Sequence, residues 1–230
     1  MPDQMQSLRS KQRSNIFHAY RGRGHKDNNL WLVHSIKTDR DYILPSDRQL
    51  IHWIHYLETD RNVKMFDLMP QAIMSVDSEE VGGTELDATV MYLNGDIEWH
   101  EVKSAESETS PGKSQLQALT SATNAAGVIH RVFTDQDLKP HVVTSIRWLK
   151  AIAYASVIQT QECVAETIAL QGVLQSQRVG VVRQILETLP EFEAVILQGL
   201  LVRLAIRGHV DIDLSAIGFR LATTWRWLRN

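Results

Sequence analysis

The sequence predicts an α/β protein: a mixed sheet flanked by helices over residues 30–140, then a small helical unit over residues 141–230. Three observations predict it. The pair Asn94-Gly95 stands between two strand-like runs that begin near Asp87 and end near Lys103, and both positions of a two-residue hairpin turn favour such residues because they tolerate positive φ. Leu50, Trp53, Ile54 and Leu57 recur at helical spacing just before a strand-like run over 63–68, so helix and strand patterns alternate. Beyond about residue 141 the apolar stripes are mostly those of helices.

The elements follow in chain order. Residues 1–29 form a Gly- and charge-rich arm, in which Arg21-Gly22-Arg23-Gly24 fits no regular element. Residues 30–36 read as a short strand. Ser46 can cap a helix that runs to Thr59. An acidic turn is expected over 77–83, before the hairpin that starts at Asp87. Residues 104–112 form a polar loop, and a helix over 113–126 ends at Gly127, a suitable C-cap. The next strand is expected over 128–134.

Further on, Ile146, Leu149, Ile152 and Ala153 mark one helix, and residues 164–174 a second. Val179, Val182, Ile185 and Leu186 mark a third, and a fourth over 191–207 is closed by Gly208. Residues 210–214 alternate as a strand does. Helix, a turn at Leu189-Pro190, helix and strand are the order of a winged helix-turn-helix. A groove-reading helix makes its contacts near its N-terminus. Here that end carries Glu191 and Glu193, while Arg203 and Arg207 lie near the other. Protein docking or a structural role is therefore expected of it. Trp225, Arg226 and Trp227 form a terminal apolar-basic patch, for core packing or for a partner.

At 230 residues, 43% apolar and 22% charged, the chain has the composition of an ordinary globular protein. No apolar run is long enough for a membrane helix, and the polar, basic first thirty residues lack the apolar centre of a secretory signal. A cytoplasmic location is expected. The single cysteine, Cys163, excludes an internal disulfide and a cysteine-based zinc site. The net charge of −3 hides a division. Residues 1–26 carry Arg9, Lys11, Arg13, Arg21, Arg23 and Lys26 against Asp3, a net +5. Residues 41–110 carry fifteen acids and four bases, a net −11. The six cations suit phosphate contacts that weaken with salt, and Phe17 and Tyr20 between them suit stacking or anchoring. The competing role is a solubilising tail.

The chemistry is concentrated at the hairpin. Antiparallel pairing about Asn94-Gly95 brings Asp87 to the end that carries Glu101-Val102-Lys103. Glu101 and Lys103 are two apart and share a face, with Val102 expected to face the core. Two carboxylates and an ammonium thus converge. Asp87 and Glu101 are hard oxygen ligands for Mg²⁺, with Mn²⁺ as a substitute. Lys103 can position water or phosphate. Such residues also occur on exposed sheets as plain surface charge. His52 and His55 lie three apart on the first helix but have no evident third ligand, so core or surface histidines are the simpler account.

Asp87, a spacer, then Glu101-Val102-Lys103 resembles the PD-(D/E)xK restriction-endonuclease-like superfamily. More closely, the chain resembles the TnsA family, the endonuclease subunits of heteromeric transposases. That likeness also rests on Leu57-Glu58-Thr59-Asp60-Arg61-Asn62-Val63-Lys64-Met65-Phe66-Asp67-Leu68-Met69-Pro70 and on Val132-Phe133-Thr134-Asp135-Gln136-Asp137-Leu138. It covers residues 30–140 well and the rest loosely. The family places a Glu in the first helix. Counted from Ser46 the position is Gln49, and counted back from Leu57-Glu58 it is Leu50; neither is acidic.

The resemblance implies a restriction-endonuclease-like fold with a small all-α or winged-helix C-terminal domain. It implies Mg²⁺-dependent hydrolysis of one DNA strand at each transposon end. It also implies a partner transposase of the TnsB type and an AAA+ regulator of the TnsC type. Gln115 and Gln117 fall where related nucleases sometimes place a Gln near DNA. Two alternatives stand beside this: a free-standing restriction or repair nuclease of the same fold, and a degenerate nuclease fold that binds DNA and partners without cutting.

Overall fold

Ser46 opens the first helix by the expected device: its side chain accepts the backbone N–H of Gln49. In the computed structural model, which describes residues 29–68, 73–74, 83–84, 86–103, 123, 127–159 and 161–228, that helix is α1, Asp47–His52. It does not continue as an α-helix to Thr59. From Trp53–Glu58 it widens to π geometry, closed by Thr59 N–H on the Ile54 carbonyl. The widened turn still buries Trp53, Ile54 and Leu57. It also carries Glu58 into the core, where Ser35 Oγ and Ile36 N–H donate to the carboxylate at 2.7 and 2.6 Å.

Those donors belong to a hairpin only half foreseen. β1 is Trp31–Ser35, and it pairs antiparallel with β2, Arg40–Leu44. β2 carries the polar residues Arg40 and Asp41 at its start and buries only Tyr42 and Leu44, so its apolar run is short. Lys37, in the connecting turn, donates to the carbonyls of Leu57 and Asp60 and ties the hairpin to the helix end.

The main sheet has the order β3-β6-β7-β8. β3 (Val63–Asp67), β6 (Ala88–Tyr92) and β7 (Ile97–Val102) are antiparallel neighbours, and β8 (Ile129–Phe133) is parallel to β7. Two short strands, β4 (Ile73–Met74) and β5 (Gly83–Thr84), form a separate pair. The sheet is mixed and flanked by helices, as the sequence predicts. The β6–β7 connection has three residues rather than two. Tyr92 N–H bonds to the Asp96 carbonyl, which leaves Leu93, Asn94 and Gly95 as the loop. Only Gly95 has positive φ, at +95°, the arrangement of a type I turn followed by a left-handed residue. Asn94 instead accepts the Asp96 N–H on its side chain. Val102 is half-buried rather than core-facing; the buried residue on that face of β7 is His100.

After β8 come α2 (Asp135–Leu138), a 3₁₀ turn (Lys139–His141) and α3 (Val142–Val157). α4 (Val164–Gln177) leads to β9 (Val179–Val181), so Val179 is in a strand and not in the expected third helix. That helix is α5, Val182–Thr188. α6 is shorter than expected, Ala194–Ile206. β10 (Val210–Ile212) and β11 (Thr224–Trp227) pair with each other, and β11 also pairs with β9, in the order β10-β11-β9. Trp225 and Trp227 are buried and Arg226 is exposed, so the terminal patch is a strand with one face in the core. One cluster of buried residues runs from Val33 and Trp53 through Ala151 and Ile158 to Leu201 and Trp225. Residues 1–28 of the arm, residues 77–82 of the acidic turn expected over 77–83 and, Thr123 apart, the helix expected over 113–126, with Gln115 and Gln117, lie outside the described residues.

Candidate active site

Gln49 occupies the third position of a capped helix, where a Gln often turns back to the cap. Here its side chain turns outward instead, and Nε2 donates to Asp87 Oδ1 at 2.7 Å. Leu50, the other candidate for that position, is 5% exposed and belongs to the core. Gln49 and Asp87 line a cleft of about 220 Å³ together with Pro45, His52, Leu68 and Leu86. Asp47 lies elsewhere: Asn29 Nδ2 and Trp31 Nε1 donate to it, so it anchors the start of β1.

Asp87 immediately precedes β6. Its N–H continues the ladder to the His100 carbonyl at 3.0 Å. The register ends with Ala88 opposite His100, and the Asp87 N–H bonds to the carbonyl of that same residue, so Asp87 stands beside the end of β7 that leads to Glu101. Asp87 Oδ2 accepts the backbone N–H of Val102 at 2.6 Å, so the carboxylate is pinned to the Glu101-Val102-Lys103 backbone. Glu101 and Lys103 share a face as expected, with Oε1 and Nζ 3.2 Å apart. They do not line the 220 Å³ cleft. The four candidates thus form two contacting pairs, Gln49 with Asp87 and Glu101 with Lys103, joined through the Val102 amide.

His130, on β8, completes the Glu101 environment and was not foreseen. Its Nε2 is 3.5 Å from Glu101 Oε2, too far and too poorly aligned for a good hydrogen bond. It still acts on the charge: the His130 ring, and next Lys103, hold the Glu101 carboxyl below the usual range against the opposing effect of burial. A residue on a parallel neighbour strand cannot be assigned from sequence without the pairing itself, and this explains the omission.

His52, expected as a core or surface histidine, is in the core, three residues beyond Gln49 and so on the same helix face. It is 2% exposed and contacts the fully buried His100, Nε2 to Nδ1 at 3.0 Å. His100 Nε2 lies 3.0 Å from Glu98 Oε2, which also accepts from the Tyr92 hydroxyl at 2.9 Å. A carboxylate can only accept, so His100 carries its proton on Nε2. His100 Nδ1 then accepts from His52 Nε2–H. Burial lowers both imidazoles, His52 well below the ordinary value. The chain ties the helix that bears Gln49 to the strand that bears Glu101. His55 is not part of it and stacks on His141, with ring centroids 3.5 Å apart.

Among the described residues, no group of three or more His, Cys, Asp or Glu side chains could hold a metal by itself. Cations Arg9, Lys11, Arg13, Arg21, Arg23 and Lys26 lie outside the described residues. Among the described residues, no helix is long and apolar enough to cross a membrane. No protein-family model matches the sequence, and no curated protein matches it significantly.

Proposed function

We propose that this chain is a DNA endonuclease subunit of a transposase, of the TnsA kind, which hydrolyses one strand at each transposon end. The observation that carries the proposal is the Asp87 carboxylate held by the backbone N–H of Val102, within Glu101-Val102-Lys103, with Gln49 reaching across from α1 to the same carboxylate. The mixed sheet flanked by helices supports a restriction-endonuclease-like domain. The later order of helix, strand, two helices and two returning strands, paired as β10-β11-β9, supports a winged helix.

Two carboxylates suffice for Mg²⁺, or Mn²⁺ in its place, because such ions are commonly held by one or two carboxylates with waters and substrate phosphate oxygens. Asp87 and Glu101 fit that donor set. The bound ion would polarise the scissile phosphate and lower the pKa of water. Gln49 and the Val102 amide fix the Asp87 carboxylate in one orientation. His130 and Lys103 hold the Glu101 carboxyl below its usual range, which favours the ionised form that binds a cation. Lys103 brings an ammonium to the position where phosphate charge grows in the transition state.

DNA is the substrate of this proposal, with the basic arm as its phosphate contact. A TnsB-type transposase and a TnsC-type AAA+ regulator are its partners. α6 is an unsuitable groove reader. Its residues from Leu197 onward are buried apart from half-buried Arg203, and its exposed first turn follows Glu191 and Glu193.

Nicking of end-bearing supercoiled DNA in Mg²⁺ or Mn²⁺, with and without the partner transposase, tests the proposal. Asp87→Asn and Glu101→Gln should each lose at least about 100-fold in rate while keeping the wild-type melting temperature. Wild-type rates in both variants would refute the assignment. One observation favours the second role, a non-cutting DNA- and partner-binding protein: the helix position that touches Asp87 holds an amide and not an acid. DNA binding without any metal-dependent cutting, even with the partner present, would establish that role instead.

A further inference from the structure

Among the described residues α3 leaves one face uncovered, and that face is patterned. Its exposed residues are Val143, Ile146, Lys150, Ala153 and Val157. The steps between them are three, four, three and four, the spacing of the inner positions of a coiled coil. Four of the five are apolar, and Val143, Ile146 and Val157 expose 57%, 59% and 64% of their surface. A surface helix of a globular protein normally carries polar residues on this side. The other side is already satisfied: Ser145, Ala151, Ile152 and Ala155 are buried, and α3 lies against α6, where Gly199 comes close to Tyr154 and Ile158. Folding of the chain therefore does not require the outer stripe to be apolar. Beside it runs an open groove of about 330 Å³ between α3 and the β1–β2 hairpin, lined by Leu32, Leu149, Ile152 and Ala153, with His34 and Asp41 at its polar side. Ala153 belongs to both stripe and groove. Leu32, on the far wall, is itself 42% exposed.

We propose that this face of α3 binds an amphipathic helix of another protein, one with an apolar seam of its own and a carboxylate at the centre of that seam. Charge decides the occupant. α3 contains two cations, Arg147 and Lys150, and no acid. Arg147 is engaged by the carbonyls of Leu214 and Ser215. Lys150 stands in the middle of the stripe, seven residues from Val143 and seven from Val157. A second copy related by a two-fold axis would set Lys150 against Lys150, and like charges at such a seam oppose pairing. Size argues the same way. A stable dimer buries roughly 800 Å² per partner, more than four partly exposed apolar side chains provide. A single helix needs less: it lays its i, i+3 and i+7 side chains along the stripe and a bulky one into the groove. A central Glu or Asp meets Lys150. The inference is independent of whether the cleft cuts DNA, since none of its residues lines that cleft.

The test uses the full chain and a labelled synthetic peptide of about three heptads, with leucine at the inner positions and glutamate at the central one. A control peptide carries lysine at the centre. Fluorescence anisotropy should show the glutamate peptide binding and the lysine peptide binding at least about tenfold more weakly. Ile146→Asp should weaken the glutamate peptide by about tenfold or more, with an unchanged circular dichroism melt because Ile146 is exposed. Lys150→Glu should reverse the preference between the two peptides. Failure of both peptides to bind, or binding indifferent to both substitutions, overturns the proposal. So does a concentration-dependent dimer abolished by Ile146→Asp, which would make a second copy the occupant. Binding seen only after removal of residues 1–28 would make the chain's own arm the occupant, and would overturn it equally.

Discussion

Gln49 is the residue on which the site turns. Its amide N–H meets a carboxylate 2.7 Å away, so Gln49→Glu would set two carboxylates face to face. Without a divalent ion that exchange loses a hydrogen bond and adds repulsion, a cost of about 1–3 kcal/mol. With Mg²⁺ the same change supplies a third hard ligand. The variant should therefore melt below wild type in EDTA and recover on adding Mg²⁺, with a larger magnesium-induced shift than wild type shows. An equal shift in both proteins would mean that the pair does not belong to a metal site. Leu50→Glu, one position on, should unfold the chain, because it buries a carboxylate in the core.

Lys37 makes a different prediction at the same scale. Burial pushes its ammonium down to about 8, against the opposing charges of Glu58 and Asp60. The folded value is thus below the unfolded value of 10.5. Between those two values the unfolded chain holds the extra proton, so the Lys37 contribution to stability rises with pH, by at most about 1.4 kcal/mol per unit. Below about 8 both states are charged and the cost of burial is fully present. In urea titrations from pH 8 to 10, wild type should gain stability relative to Lys37→Met. Parallel curves would show that the ammonium is not desolvated as its surroundings require.

Among elements, those with several cooperating signals were legible in the sequence. The Ser46 cap, the Leu50-Trp53-Ile54-Leu57 stripe and the hairpin about Gly95 each had a composition and a period in agreement, and each formed, although the helix widens to π geometry from Trp53 and the turn has three residues rather than two. β9 and β11 did not announce themselves. Val179-Gly180-Val181 is three residues long and merges with the helical pattern that follows, and Thr224–Trp227 alternates over four. Such strands exist because pairing with each other, and not local preference, fixes them. The same holds within the site. Asp87, Glu101 and Lys103 were legible from turn and spacing, and Gln49 from a cap, whereas His130 and His100 depend on which strand lies beside which.

The α3–α6 crossing carries the prediction for this scale. A Cβ on Gly199 would come within 2.6 Å of the Tyr154 carbonyl oxygen and 2.9 Å of Ile158 Cδ1. A backbone atom cannot step aside cheaply. Gly199→Ala should cost about 1–3 kcal/mol through overpacking, despite the better helix propensity of alanine. Gly172, inside α4, faces open space, and Gly172→Ala should gain about 0.5–1 kcal/mol. Opposite signs for the same substitution, read from melting temperatures, check the crossing directly.

At the scale of the whole molecule, buried side chains of residues 30–140 and of residues 141–230 belong to one connected cluster. α3 is the link: Ile152 and Ala155 join the cluster that holds Trp53 on one side and Leu201 on the other. Arg61, just before β3, adds an ion pair to Asp211 in β10, and Arg226 of β11 meets the same carboxylate at 3.0 Å. The ion pairs are exposed and contribute little, so the shared apolar core is the true joint. Cutting the chain at residue 140 should expose core on both pieces, and neither should unfold cooperatively alone. For the intact chain, tryptophan fluorescence and far-ultraviolet circular dichroism should report the same urea midpoint, because Trp53, Trp225 and Trp227 sit in one body with the helices. Two separated midpoints, or a well-folded fragment 1–140, would show instead that the cluster is a contact between two independent cores.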